Sequence, residues 1–354
     1  MRGVTILWAL RSPCNLHCQY CYFGTVGGPY DRTKTEGRPG ELSHVGRTDV
    51  SCDAMLDFIA TFTPHLVHRV FIAGGEPLIW GGTVRVLSAL KAAGCEVIVC
   101  TNGLPLVKDS LSHTLLDLQI DAVSISLDSY DPVSNDHWRQ DRSGQGWHGV
   151  VAGLQTLVRL RNQRQAQTRI GVYSVITQQT IGHILQTGRM VADMGADSYI
   201  VQPISLAPDH PLFSNLSLDG RHRQAFAQAI MALHTEQGRL SLPHPGYVQQ
   251  VFRTLTADPL PVIENCFGGR DLFFLEPDGS LWDCPSMYKI AATPPEQRLS
   301  LVGNSAQNVF STARRGRNTD CCCFSQDCVN MWQIMSFDDI LYQQGGTPYA
   351  ACPR

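Results

Sequence analysis

No stretch of this chain approaches the roughly 18 consecutive apolar residues that a membrane-crossing helix needs, so no spanning segment and no membrane partner are expected. Charge of one sign is missing too. Twenty-eight basic against 31 acidic residues leave a net charge of −3, which gives no field for nucleic acid or an anionic membrane. The one dense basic stretch, Arg314-Arg315-Gly316-Arg317, is short and reads as a solvated loop. Repeats and low-complexity tracts are absent. A charged leader followed by an apolar segment is not seen before Val4, where a strand-like run begins, so no signal peptide is expected and the compartment is taken as cytoplasmic.

Cysteine, by contrast, is plentiful. Thirteen thiols in a chain without a secretion signal point to a reducing compartment and to metal ligation rather than disulfides. The 354 residues are enough to bury a sizeable core, and 43% hydrophobic with 17% charged residues describes a globular protein.

The apolar runs alternate in type along the chain. Strands are expected at Val4–Leu10, His68–Ala73, Glu96–Cys100, Ala122–Asp128, Arg169–Thr177 and Ser198–Pro203, with helices of 10–15 residues between most of them. Ser51 can cap a helix reaching about Phe62. Such alternation argues for a parallel sheet built from βαβ units. Residues 24–48 are rich in Gly, Pro and charge, and read as a long loop near the site. Helical patterns return at about Gly220–Glu236 and Tyr247–Thr256.

The first strand runs into Cys14-Asn15-Leu16-His17-Cys18-Gln19-Tyr20-Cys21. Three thiolates this close can hold three corners of one cubane cluster, but they leave one iron for a non-protein ligand. A structural zinc knuckle would want a fourth ligand, and His17 lies inside the loop, badly placed to supply it. The second strand ends at Gly74-Gly75-Glu76-Pro77, where glycines allow close backbone approach and proline fixes the exit.

With its C-x3-C-x-aromatic-C loop and Tyr20 as the aromatic, followed by the Gly-Gly-Glu-Pro turn, the sequence resembles the radical S-adenosylmethionine (SAM) family over about residues 4–205. The resemblance implies a partial (β/α)6 TIM-like barrel of the α/β class, with chemistry at the C-terminal ends of the strands. It implies that Cys14, Cys18 and Cys21 hold a [4Fe–4S] cluster whose fourth iron is chelated by SAM. The reduced cluster would cleave SAM to a 5′-deoxyadenosyl radical that abstracts hydrogen. Gly74, Gly75, Glu76 and Pro77 would meet the SAM amino group, and Arg139 its carboxylate. Thr101, Asn102, Ser126 and Asp128, polar residues at strand ends, are candidates for its ribose and methionine. Strand-end turn chemistry needs the same residue types, so both readings stand for these four. An electron donor of flavodoxin or ferredoxin type is implied as a partner.

Seven cysteines follow residue 260: Cys266, Cys284, Cys321, Cys322, Cys323, Cys328 and Cys352. Leu272 to Asp283, two β-rich runs around Pro277-Asp278-Gly279, reads as a hairpin bringing Cys266 and Cys284 to one end. This pattern resembles the SPASM or twitch auxiliary-cluster extension of radical SAM enzymes. The expected organisation is therefore a core at 1–205, a helical connection at 206–258 and a cysteine-rich extension at 259–354. The family's late cysteine spacing is not kept, and seven thiolates cannot fill two four-cysteine sites. One or two auxiliary [4Fe–4S] clusters are expected, with Cys266, Cys284, Cys321, Cys323, Cys328 and Cys352 as ligands and one of the three adjacent cysteines spare.

A SAM cluster beside auxiliary clusters suits a net oxidation. The expected activity is an oxidoreductase that dehydrogenates or epimerises a small polar metabolite such as an aminocyclitol or sugar. Maturation of a ribosomally made peptide is the alternative, and sulfatase activation a third. A cysteine loop starting at residue 14 leaves no room for an added peptide-binding domain before it, and Pro285 follows Cys284 where sulfatase-activating relatives place an Asp. Asp283, Gln202 and the loop at 24–48 are the candidate substrate contacts. Cys100, on the same strand face as Asn102, is a candidate for returning a hydrogen atom to a substrate radical. Cys52 and Cys95 read as core residues.

Overall fold

The computed structural model describes residues 3–21, 49–141, 145–206, 210–236, 240–243, 247, 251, 266–285 and 299–311. The loop expected at 24–48, most of the 247–256 helix, and Cys321, Cys322, Cys323, Cys328 and Cys352 lie outside the described residues.

In chain order the elements are β1 (Val4–Arg11), β2 (Leu16–Cys18), α1 (Cys52–Ile59), β3 (Val67–Gly74), α2 (Thr83–Ala92), β4 (Glu96–Thr101) and α3 (Asp109–Asp117). There follow β5 (Ala122–Ser126), α4 (Pro132–Trp138), β6 (Arg139–Asp141), α5 (Gly146–Arg164), β7 (Arg169–Ile176), α6 (Ile184–Asp193) and β8 (Ser198–Pro203). The remainder are α7 (Phe213–Leu216), α8 (Arg223–Glu236), β9 (Leu272–Leu275), β10 (Ser280–Trp282), β11 (Leu299–Ser300) and α9 (Ala306–Phe310). β1, β3, β4, β5, β7 and β8 are the six strands expected from the hydrophobic runs, in the β/α order of a partial TIM-like barrel. Ser51 caps α1 by accepting the amide of Ala54 at 3.1 Å.

The chain forms two compact units. The first comprises residues 1–126, 136–170 and 267–317. Its sheet has the strand order β11-β10-β9-β1-β3-β4-β5, with β9, β1, β3, β4 and β5 parallel. The expected hairpin forms from β9 and β10, and β9 lies beside β1 with Ile6 opposite Phe273. One face of β1 buries Trp8 against an aromatic cluster. Trp8 meets Phe58 of α1 edge-on at 6.5 Å between ring centroids, Phe58 meets Phe62 and Phe310, and Phe310 meets Phe273 at 4.8 Å. These rings join α1, α9 and β9 through buried apolar area, the dominant favourable contribution to folding.

Ion pairs gather at the amino-terminal ends of these strands: Arg69 and Arg169 both reach Glu96 at the start of β4, and Lys91 of α2 reaches Asp121, just before β5, at 2.6 Å. At the other side, α5 crosses the turn after β4 so closely that Gly153 faces the carbonyl oxygen of Gly103 with no room for a side chain. Gly103 itself sits at φ +87°, a conformation that favours glycine.

The second unit comprises residues 127–135, 171–266 and 318–354. β7 and β8 pair in parallel, with Val175 opposite Gln202. Tyr199, Phe226, Ile230 and Leu233 are buried, and the buried Tyr247 donates its hydroxyl to the Val201 carbonyl at 2.8 Å. Among the described residues no helix is long and apolar enough to cross a membrane.

Candidate functional site

The cysteine loop leaves the C-terminal end of β1 and is held from several sides within the first unit. Arg11 and Ser12, its last residues before Pro13, are fastened by Asp49. The Asp49 carboxylate accepts the Ser12 hydroxyl at 2.6 Å and pairs with Arg11 at 3.1 Å. The Arg11 guanidinium also donates to the Val50 carbonyl and lies 4.7 Å over the Trp80 ring. Sequence reading missed Asp49, because nothing local marks it as the partner of a strand end.

The Gly74–Pro77 turn supplies the second hold. Its amides donate to the loop's own backbone: Gly75 to the Arg11 carbonyl at 2.7 Å and Glu76 to the Pro13 carbonyl at 2.9 Å. A Cβ on Gly75 would stand inside contact distance of the Ser12 and Pro13 carbonyls, so here glycine is required by space. Gly74 sits at φ +129°, where it is required by conformation.

Glu76 is fully buried, and its carboxylate gathers three donors. It accepts the Thr101 hydroxyl at 2.8 Å, the Asn102 amide at 2.6 Å and the Leu78 amide at 3.0 Å. Burial pushes its pKa up to about 7, against the downward pull of these hydrogen bonds and of the Arg139 charge. Thr101 and Glu76 thus act on each other, and together they fix the end of β4. Asn102 then reaches back to the loop, donating to Asn15 Oδ1 at 2.7 Å and lying 3.9 Å from Cys14 Sγ.

A short antiparallel ribbon makes the third hold. β2 pairs with β6, setting Leu16 opposite Asp141, His17 opposite Gln140 and Cys18 opposite Arg139. Gln19 extends the ribbon with its amide to the Trp138 carbonyl and its side chain to the His137 carbonyl. Tyr20 lies against Trp138 with ring centroids 6.4 Å apart. Arg139, only 7% exposed, is thereby seated beside the loop, and its charge acts on both Cys14 and Glu76. No sequence signal announced β6, three residues that directly follow α4.

Cys14 accepts the Leu16 amide at 3.4 Å, and burial pushes its thiol up to about 11. Among the described residues no three His, Cys, Asp or Glu side chains are grouped to hold a single metal ion. A cubane differs from one ion in that each thiolate binds a different iron, which sets the sulfurs further apart. Three cysteines on one braced loop, with amide donors aimed at one sulfur, fit a cluster with one iron open.

The other candidates are distributed over both units. On β4 the Cys100 thiol is pushed up to about 12, chiefly by burial and secondarily by the Glu76 charge. Cys100 pairs in register with Ser124 of β5, the strand that ends at Ser126. The exposed Asp283 follows β10 directly, with Gly269 against its side chain, and precedes the buried Cys284. In the second unit Asp128 accepts the Val175 amide at 2.8 Å, so one of its oxygens pins the strand. Gln202 accepts the Tyr173 hydroxyl there, and Cys266 is buried.

Residues 13–188 match the model of the Radical SAM superfamily. This chain is a member of that superfamily. It is 25% identical to pre-heme d1 synthase of Dinoroseobacter shibae over 203 residues, which are 57% of this chain and 44% of the relative. It is 29% identical to GTP 3',8-cyclase of Microcystis aeruginosa over 155 residues, 43% of each. The chain therefore spans less than half the length of these relatives. Its fold is similar to that of SuiB from Streptococcus suis, with a TM-score of 0.63 at 12% identity over 89% of this chain and 67% of that one.

Proposed function

We propose that the protein is a radical SAM oxidoreductase acting on a small polar metabolite of aminocyclitol or sugar type. The observation that carries the SAM chemistry is the convergence of Cys14, Cys18 and Cys21 with the Gly74–Pro77 turn, Asn102 and Arg139 around one loop. When bound, a [4Fe–4S] cluster and SAM supply hydrogen-atom abstraction, and one or two auxiliary clusters in a SPASM-type extension supply an acceptor for the second electron.

The chain's own residues bind and orient. Arg139, buried and cationic, suits the SAM carboxylate, and the carbonyls of the Gly74–Pro77 turn suit its amino group. Tyr20 closes the loop against Trp138. Ser126 and Asp128 end or follow a strand of the β/α series, the position from which ribose and methionine contacts come. Asp283 accepts a carbinol proton, and Gln202 orients a substrate hydroxyl. Cys100 remains a protonated thiol at neutral pH, which is the form able to return a hydrogen atom in an epimerisation. A flavodoxin or ferredoxin-type protein delivers the electron, in the cytoplasm.

A second reading is maturation of a ribosomally made peptide. It is favoured by the reach of the structural likeness: SuiB, also solved with precursor peptide SuiA, resembles this chain over 94% of its length in that complex.

The test is anaerobic reconstitution followed by reductant, SAM and a candidate substrate, with 5′-deoxyadenosine quantified. Deoxyadenosine with about eight to twelve irons per chain supports a radical enzyme carrying auxiliary clusters. Stimulation by aminocyclitols but not by peptides supports the first reading, and the reverse supports the second. Iron without deoxyadenosine under every condition would overturn both.

A further inference from the structure

We propose that Asn102 sets the reduction potential of the cluster held by Cys14, Cys18 and Cys21, by donating a hydrogen bond to the Cys14 sulfur; the inference rests on the radical SAM reading of that loop. The first step of the argument is the orientation of the amide. Asn102 Oδ1 accepts the Leu104 amide at 3.0 Å, so it is Nδ2 that faces the loop. That nitrogen has two hydrogens. It donates to Asn15 Oδ1 at 2.7 Å and to Cys14 Sγ at 3.9 Å, so each acceptor can be served by one of them. The separation is long for an oxygen acceptor but within reach of the larger sulfur.

The second step is rigidity. The backbone amide of Asn102 is tied to the buried Glu76 carboxylate at 2.6 Å, and the neighbouring Thr101 hydroxyl is tied to the same carboxylate. Asn102 is 7% exposed, so little water is available to screen its dipole. With the Leu16 amide at 3.4 Å, two donors converge on one thiolate. Hydrogen bonds to ligating sulfurs and their exposure are among the determinants of a cluster's potential. Donors stabilise the more negative, reduced state more than the oxidised one, so Asn102 raises the potential and eases electron entry. Asn102 is therefore a positioning residue for the cluster, whether or not it also touches SAM.

The experiment is an anaerobic potentiometric titration of the reconstituted full chain, read by electron paramagnetic resonance. The signal of a variant with Cys14, Cys18 and Cys21 all changed to Ala is subtracted to remove C-terminal iron. Asn102→Ala lowers the reduced-to-oxidised ratio at fixed poise about three- to tenfold, a midpoint fall of about 30–60 mV for one electron. Asn102→Asp keeps the side chain's shape and its acceptor to Leu104 but removes the donor, and lowers the midpoint at least as far. Asn15→Ala removes the loop tie while leaving the donor to sulfur, and holds the wild-type midpoint. An unchanged midpoint in both Asn102 variants would overturn the inference. So would an equal fall in Asn15→Ala, which would assign Asn102 to holding the loop alone. Loss of no signal in the triple-cysteine variant would instead overturn the cluster assignment itself.

Discussion

Gly75→Ala tests how the cysteine loop is held. The added Cβ would lie 2.5 Å from the Pro13 carbonyl carbon and closer still to the Ser12 and Pro13 oxygens. These are backbone atoms, which cannot swing aside as a flexible side chain can. Relief requires the turn and loop to part, breaking the bonds from Gly75 to Arg11 and from Glu76 to Pro13. Overpacking costs about 1–3 kcal/mol. The two hydrogen bonds add about 1 kcal/mol each. The expected destabilisation is about 3–5 kcal/mol, seen by calorimetry as a fall in Tm on the order of 10 °C. Iron bound after reconstitution falls as well, because Cys14 directly follows the displaced Pro13. Gly81→Ala and Gly182→Ala, where a Cβ meets nothing within 4 Å, are the controls and melt close to wild type. A Gly75→Ala protein that melts with the controls and loads the same iron would refute the claim that this backbone contact seats the loop.

Glu76 predicts a pH dependence of stability. Its folded pKa is raised from 4.5 to about 7, so the folded state binds more protons between these values, and its stabilising share is complete below 4.5 and lost as pH rises through about 7. The loss approaches about 3 kcal/mol, and denaturant titrations at pH 5 and 8 should show it shrinking in Glu76→Gln. Arg139→Gln leaves Glu76 without its nearby cation and weakens SAM binding at least about tenfold by equilibrium dialysis, as expected for loss of a charged partner; unchanged affinity would remove Arg139 from the SAM site. Ser51→Ala costs about 1 kcal/mol by chemical denaturation through loss of the α1 cap, with no change in iron content.

The order of elements was open to sequence reading because it rests on local periodicity. β8 and the six-strand series follow from runs of apolar residues, and the Ser51 cap from a single side chain and the amide three residues on. The spacing of Cys14, Cys18 and Cys21 and the two glycines before Glu76 are likewise local facts. They mark the family without reference to any tertiary contact. Helix limits are less legible: α5 runs from Gly146 to Arg164, ending in exposed polar and charged residues that continue a helix as readily as they end it.

The pairing of β2 with β6, the seat of Arg139 beside Cys18, and the placing of β9 against β1 belong to the tertiary structure. So do the three donors on the Glu76 carboxylate, the Asp49 tie to Arg11, and the hold of Asn102 on the cysteine loop. Each joins residues distant in sequence, and a residue type carries no record of the partner that folding brings to it. The sequence by itself determined the chemistry the protein carries, since that depends on residue types at short spacing. Only the packed backbone decided which side chains brace that chemistry, since that depends on strand register and close approach between distant segments.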